Sequence, residues 1–239
     1  MIPLKDDNPI RTFPLVTIFL ILANVVVFVY QWKLGPTGAQ AFVYRMGAVP
    51  WEITHFQEFT EFPVPFRSDI PNVLTLLTSI FIHGGLFHLL GNMLYLWVFG
   101  DNVETLMGPL RFLVFYLLAG VAAGLSHVVI EPNSTVPMVG ASGAISAVLG
   151  AYIVRFPRAR VHMLVFLFIF IRVIRIPSLI ALGLWFGLQV INGLGALGGG
   201  ERGGGVAWFA HIGGFVAGMI LVFLFEKKDR VRMMKRTVW

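Results

Sequence analysis

The chain has 239 residues, of which 57% are hydrophobic and only 13% charged, and its mean hydropathy is +0.81. That composition lies outside the range of soluble globular domains and reads as a polytopic membrane protein. The net charge is +6 and Cys is absent, which excludes a disulfide framework and a thiolate metal site.

Apolar segments follow in order. Residues 13–32 are too long for the apolar region of a signal peptide, and no small-residue cleavage site follows, so they read as the first span. Residues 33–71 form a long first loop carrying Phe42, Tyr44, Trp51, Phe56, Phe59, Phe62 and Phe66. That aromatic density suits a segment lying in the membrane interface, with a soluble mini-domain as the alternative. The apolar stretch 72–82 either lengthens the second span, 86–99, or runs along the interface. Further spans read at 110–129, 139–154, 176–194 and 206–225, the second and fourth being short. The run 162–171 has the length of an interfacial or re-entrant segment. Trp185 and Phe186 on the fifth span read as lipid-facing filler, with a lateral gate as the alternative. Residues 193–205 are nearly all small and read as a mobile cap that admits water and substrate. The expected fold is all-α: one membrane domain over 1–239, a bundle of six transmembrane helices followed by a basic tail at 227–239.

Charge decides the topology. With six spans, Lys5, Arg11, Arg111, the arginines of 155–175 and the basic tail fall on one side, and only Lys33, Arg45, Arg67 and Arg202 on the other. The positive-inside rule then makes both termini cytoplasmic. A seventh span at 162–171 would carry Arg172, Arg175 and the tail outside, and is rejected. A basic tail after a last span is the expected pattern, so it signals orientation and attraction to membrane lipids, not nucleic-acid binding.

Polar residues then sort by depth. His88 and Asn92, four residues apart, share one helix face near the outer end of the second span. Ser142 lies in the first turn of the fourth span, and His211 lies roughly 8 Å below the start of the sixth at about 1.5 Å per residue. All four belong to one outer layer. Ser142, Ser146 and Gly150 on the fourth span, and Gly214 and Gly218 on the sixth, form small-residue faces that allow close helix packing. Each residue alone has a structural reading. A serine in a membrane helix bonds back to a carbonyl, Ala144 breaks the second half of a G-x-S-x-G elbow, and a lone histidine bridges helices.

Three segments together carry more. H-L-L-G-N at His88 to Asn92, G-A-S-G at Gly140 to Gly143 and A-H-I-G-G-F-V-A-G at Ala210 to Gly218 resemble the rhomboid intramembrane serine proteases in residues, order and spacing. Gly100 to Glu104, and His83 ahead of His88, also resemble family segments. The resemblance implies a six-helix bundle and a dyad without a carboxylate: Ser142 as nucleophile and His211 as general base and then acid. It also implies an oxyanion hole lined by His88, Asn92 and the Ser142 backbone N–H. The chemistry suits these types, since histidine exchanges a proton near operating pH and asparagine donates to developing charge without titrating. No cofactor and no metal are required.

Two departures stand out. Relatives carry an aromatic residue one turn after the nucleophile that packs on the base, whereas this chain has Ser146, so something else must orient His211. The first loop also lacks the Trp-Arg pair of some relatives. The expected partners are single-span transmembrane proteins whose helices unwind at the cut, and the expected place is the plasma membrane of a prokaryote. The competing readings are a transporter or proton channel using His83, His88, His127 and His211, a non-catalytic rhomboid-like binding protein, and a zinc site on those histidines, which lacks H-E-x-x-H and an accompanying carboxylate.

Overall fold

The computed structural model describes residues 2–8, 12–59, 61, 68, 70–167, 170–197 and 206–231. The chain runs β1 (Ile2–Asp6), α1 (Leu15–Lys33), α2 (Gly35–Met46), α3 (Pro50–His55), α4 (Thr75–Thr78), α5 (Leu86–Met107), α6 (Pro109–Ile130), α7 (Ser142–Arg155), β2 (Arg160–Leu167), β3 (Phe170–Pro177), α8 (Ser178–Leu197) and α9 (Trp208–Phe225). The helical membrane bundle expected from the sequence is borne out. Among the described residues α1, α6, α8 and α9 are each long and apolar enough to cross a membrane. Residues 72–81 and α5 form a fifth apolar unit bent by 79°. The stretch before α5 therefore turns sharply away instead of lengthening it. The expected fourth span, 139–154, falls on α7, an apolar helix of only 14 residues that is shorter than these candidate spans.

Helix α7 is the centre of the bundle. Gly143 through Ile153 are buried without a break, as expected of a helix hydrophobic all round. The helices against it approach at backbone distance. A Cβ added to Gly150 would lie 2.0 Å from the Phe215 carbonyl oxygen, and one added to Gly218 would lie 2.0 Å from that of Ala147. Only glycine permits this spacing, which is how the small-residue faces work. Outward-facing residues of α1 and α8, such as Phe19, Leu22, Leu184 and Ile191, are exposed and apolar, as a lipid-facing surface requires.

The residues that follow α9 pack on the ends of α5 and α7. Lys227 N–H donates to the Leu106 carbonyl at 3.1 Å, Arg230 Nη1 to that of Thr105 at 2.8 Å, and Arg155 pairs with Glu226 at 2.5 Å. Helix α5 runs eight residues past its expected end and takes Asp101, Asn102 and Glu104 into the bundle, all buried. Each has a partner there. Glu104 accepts Val16 N–H at 2.9 Å and both Thr17 N–H and Oγ1–H at 2.8 Å, satisfying free amides in the first turn of α1 and complementing its dipole. Asp101 accepts Asn102 N–H at 2.7 Å, and Asn102 donates to Asp6 at 2.9 Å.

The same side holds a feature outside the all-α expectation. An antiparallel sheet in the order β1-β2-β3 joins the N-terminal strand to a hairpin between α7 and α8. The described part of the run 162–171 is therefore strand, neither a span nor a re-entrant helix. Asp6 fixes β1 to the bundle by accepting from Tyr152 and from Asn8, whose distance is 3.2 Å. Burial pushes the Asp6 carboxyl up to about 6, opposed by the hydrogen bonds from Tyr152 and Asn8. The first loop is tied down on the opposite side, where Ala48 bridges Met138 and Trp51 N–H donates to the Ser134 carbonyl at 3.0 Å. Trp51 stacks on His55 with ring centroids 4.3 Å apart. Phe62 and Phe66, most of the 193–205 cap and the end of the basic tail lie outside the described residues.

Candidate active site

The side opposite the sheet gathers the starts of α5, α7 and α9. Ser142 is the first residue of α7 and His211 the fourth of α9. The two lie on antiparallel-free neighbours, since both helices run from the same end of the bundle and their backbones touch through Gly143 and Gly214. A Cβ on Gly214 would lie 2.2 Å from the Gly143 carbonyl oxygen. That contact lets two short side chains meet: His211 Nε2 lies 2.7 Å from Ser142 Oγ.

The other ring nitrogen is also engaged. His211 Nδ1 lies 2.8 Å from Gln189 Oε1 on α8. Trp185 lies tilted beside the imidazole at 6.1 Å between centroids, and Trp208 meets it edge-on at 6.2 Å. The aromatic packing absent at Ser146 is thus supplied by α8 and by the start of α9. Ser146 instead turns back and donates to the Ser142 carbonyl at 2.6 Å. Trp185 and Phe186 are half-buried and pack on Phe215, so each also has a place inside the bundle.

His88 and Asn92 stand on the other side of the serine turn. Gly140 has φ +121°, and a Cβ there would lie 2.8 Å from His88 Nε2 and 3.5 Å from Asn92 Nδ2. Glycine is required on both counts, by conformation and by the side chains pressed against it. His88 Nδ1 accepts Gly84 N–H at 3.4 Å, which leaves the proton on Nε2 facing the turn. Asn92 Nδ2 is buried and has no hydrogen-bond partner. A buried amide donor left unmatched is costly, and here it stands beside the turn that carries Ser142. The Ser142 N–H, at a helix start, is free of intrahelical bonding and lies at the positive end of the α7 dipole.

All four residues singled out in the sequence thus come to one turn, two of them in direct contact. His83 packs edge-on against His88 at 5.1 Å, and His127 stacks near Phe209 at 6.3 Å. Among the described residues no three His, Cys, Asp or Glu side chains are placed to hold a metal. Gln189 was not singled out, although an amide buried in an apolar helix is itself a signal. The arrangement provides a hydroxyl in contact with an imidazole, and amide and imidazole donors across the turn. These are the parts of nucleophilic acyl transfer with anion stabilisation.

A family model described as Rhomboid domain matches residues 71–228. The mitochondrial Rhomboid protein 1 of Saccharomyces cerevisiae is 26% identical over 191 residues, which cover 78% of this chain and 52% of that protein. Rhomboid protease GluP of Bacillus subtilis is 46% identical over 76 residues, 32% of this chain and 14% of that protein. The mitochondrial Presenilin-associated rhomboid-like protein of Homo sapiens is 35% identical over 91 residues, 37% of this chain and 24% of that protein. The chain therefore matches about half the length of the yeast relative and smaller shares of the other two.

Proposed function

The chain belongs to the rhomboid family, and from that premise we propose that it is an intramembrane serine endopeptidase that cuts transmembrane helices near the outer leaflet. The observation that carries this reading is the 2.7 Å contact of His211 Nε2 with Ser142 Oγ. The name of one relative, Rhomboid protease GluP, supports it.

Ser142 Oγ attacks the scissile carbonyl carbon as His211 Nε2 takes its proton. The resulting oxyanion receives hydrogen bonds from the Ser142 backbone N–H, Asn92 Nδ2 and His88 Nε2. His211 then passes the proton to the leaving amine, the C–N bond breaks, and an acyl-enzyme remains on Ser142. A water molecule deprotonated by His211 attacks the ester, Ser142 recovers its proton, and the new carboxyl end departs. Preorganised donors of this kind typically contribute about 10²–10³ each in rate. Site residues at the starts of α5, α7 and α9 suit a shallow depth, where water reaches the reaction. A substrate helix must unwind there to offer a carbonyl, which favours small and helix-weakening residues at the cut.

With charge as the guide, both termini and the sheet face the cytoplasm, the site faces outward, and the whole chain forms one membrane domain of six spans in a prokaryotic plasma membrane. The deciding experiment incubates the purified protein in liposomes with a labelled single-span substrate and with a serine-directed fluorophosphonate. Cleavage and labelling both vanish in Ser142→Ala and in His211→Ala. Cleavage that persists in either variant overturns the dyad, and proton flux that survives Ser142→Ala supports the transporter reading instead.

A further inference from the structure

We propose that Gln189 is the positioning residue of this site, holding His211 in the one tautomer able to accept the Ser142 proton; the inference rests on the dyad reading above. For Nε2 to accept from the serine hydroxyl, the neutral ring must carry its proton on Nδ1. Gln189 Oε1 stands 2.8 Å from that nitrogen and, as a carbonyl oxygen, can only accept there. The amide's own orientation is fixed from its other end, because Nε2 donates to the Trp185 carbonyl at 3.3 Å. Swapping the two ends of the amide would set Oε1 against the Trp185 carbonyl oxygen, acceptor against acceptor, so the backbone contact fixes Oε1 on the ring side.

Burial makes the arrangement specific. Gln189 is 7% exposed in a largely apolar helix, where an unsatisfied amide is costly. Both its ends are occupied, one by the helix backbone and one by the base. Trp185, one turn earlier on α8, tilts against the same imidazole. A single turn of α8 thus sets both the plane and the tautomer of the ring. When Nε2 takes the proton, the Nδ1–H bond to the amide becomes charge-assisted and strengthens. The amide brings no buried charge of its own, which a carboxylate would. The contact therefore aids the transition state more than the resting enzyme, so its loss lowers kcat more than it changes KM.

The test measures cleavage of a labelled single-span substrate and fluorophosphonate labelling in liposomes from pH 5 to 9. Native protein is compared with Gln189→Leu, Gln189→Glu and Ser142→Ala. Gln189→Leu lowers kcat about tenfold, equivalent to about 1.4 kcal/mol, with KM near native and thermal stability matched. Gln189→Glu keeps an acceptor at Nδ1 and retains turnover, but its acid limb moves to higher pH by roughly one pH unit, since a carboxylate favours the imidazolium. A Gln189→Leu enzyme within threefold of native across the whole range overturns the proposal. If that variant does not fold, the Gln189→Glu profile decides, and an acid limb superimposed on the native one overturns it. Ser142→Ala separates the two claims: silence there with unchanged Gln189 variants removes only the positioning role, whereas labelling that persists there removes the dyad itself.

Discussion

Replacing Gly218 with alanine tests whether close helix packing sets the reactive geometry. The added Cβ would lie 2.0 Å from the Ala147 carbonyl oxygen, while real Cβ contacts essentially never fall below 3.0 Å. Helix α9 must therefore retreat from α7 by at least about 1 Å. Gly218 lies two turns beyond His211 on the same unbroken helix, about 10 Å along the axis, so a rigid retreat carries His211 with it. The 2.7 Å contact to Ser142 then opens toward about 3.7 Å, past hydrogen-bonding range. A misplacement of that size costs on the order of 10² in rate, and overpacking adds about 1–3 kcal/mol of destabilisation. Gly183 on α8 is the control, since nothing lies within 4 Å of a Cβ there. The assay is single-turnover cleavage in liposomes beside a thermal melt. A folded Gly218→Ala protein that cleaves within twofold of the native rate refutes the argument that backbone contact positions the dyad.

Other outcomes follow from the same geometry. Asn92→Ala lowers kcat by about 10²–10³ with KM little changed; a loss confined to KM would mean that Asn92 binds substrate instead of the oxyanion. Asp6, raised by burial from 3.8 to about 6, binds its proton more tightly in the folded chain than in the unfolded one. Its contribution is full below about pH 4 and lost as pH rises through about 6. Asp6→Asn therefore flattens the stability of β1 against pH over that window, read by amide hydrogen exchange at Ile2, Leu4, Lys5 and residue 6. A slope that persists in the variant places the titrating group elsewhere.

The long apolar runs made the helices legible, because a segment that must satisfy its backbone inside a bilayer has few alternatives to a helix. The end of α5 was hidden because Asp101, Asn102 and Glu104 interrupt the apolar run that defines a span. Their burial depends on partners far away in sequence, Asp6 and the first turn of α1. The sheet was hidden for two reasons. Arg172 and Arg175 are three apart, which destroys the period-two alternation of a half-buried strand, and β1 pairs with residues more than 150 positions away. In the site, Ser142, His211, His88 and Asn92 were legible because three short motifs stand at helix starts. Gln189 was harder to see, since it belongs to no motif and acts through the ring of another residue. The missing aromatic at Ser146 did pose the question that Gln189 and Trp185 answer.

The pairing of β1 with β2 also imposes an order on synthesis. Strand β1 is made before its partner, which follows about 160 residues later. At about 5–20 residues per second the strand waits on the order of 10–30 seconds with its edge open. Pro3 and Lys5 on that edge blunt pairing with other chains in the interval. Because β2 directly follows α7, the sheet cannot close until the helix bearing the nucleophile has been produced. Closure of the sheet thus follows synthesis of α7, and β1 reaches its place only after the helices between it and β2 have been made.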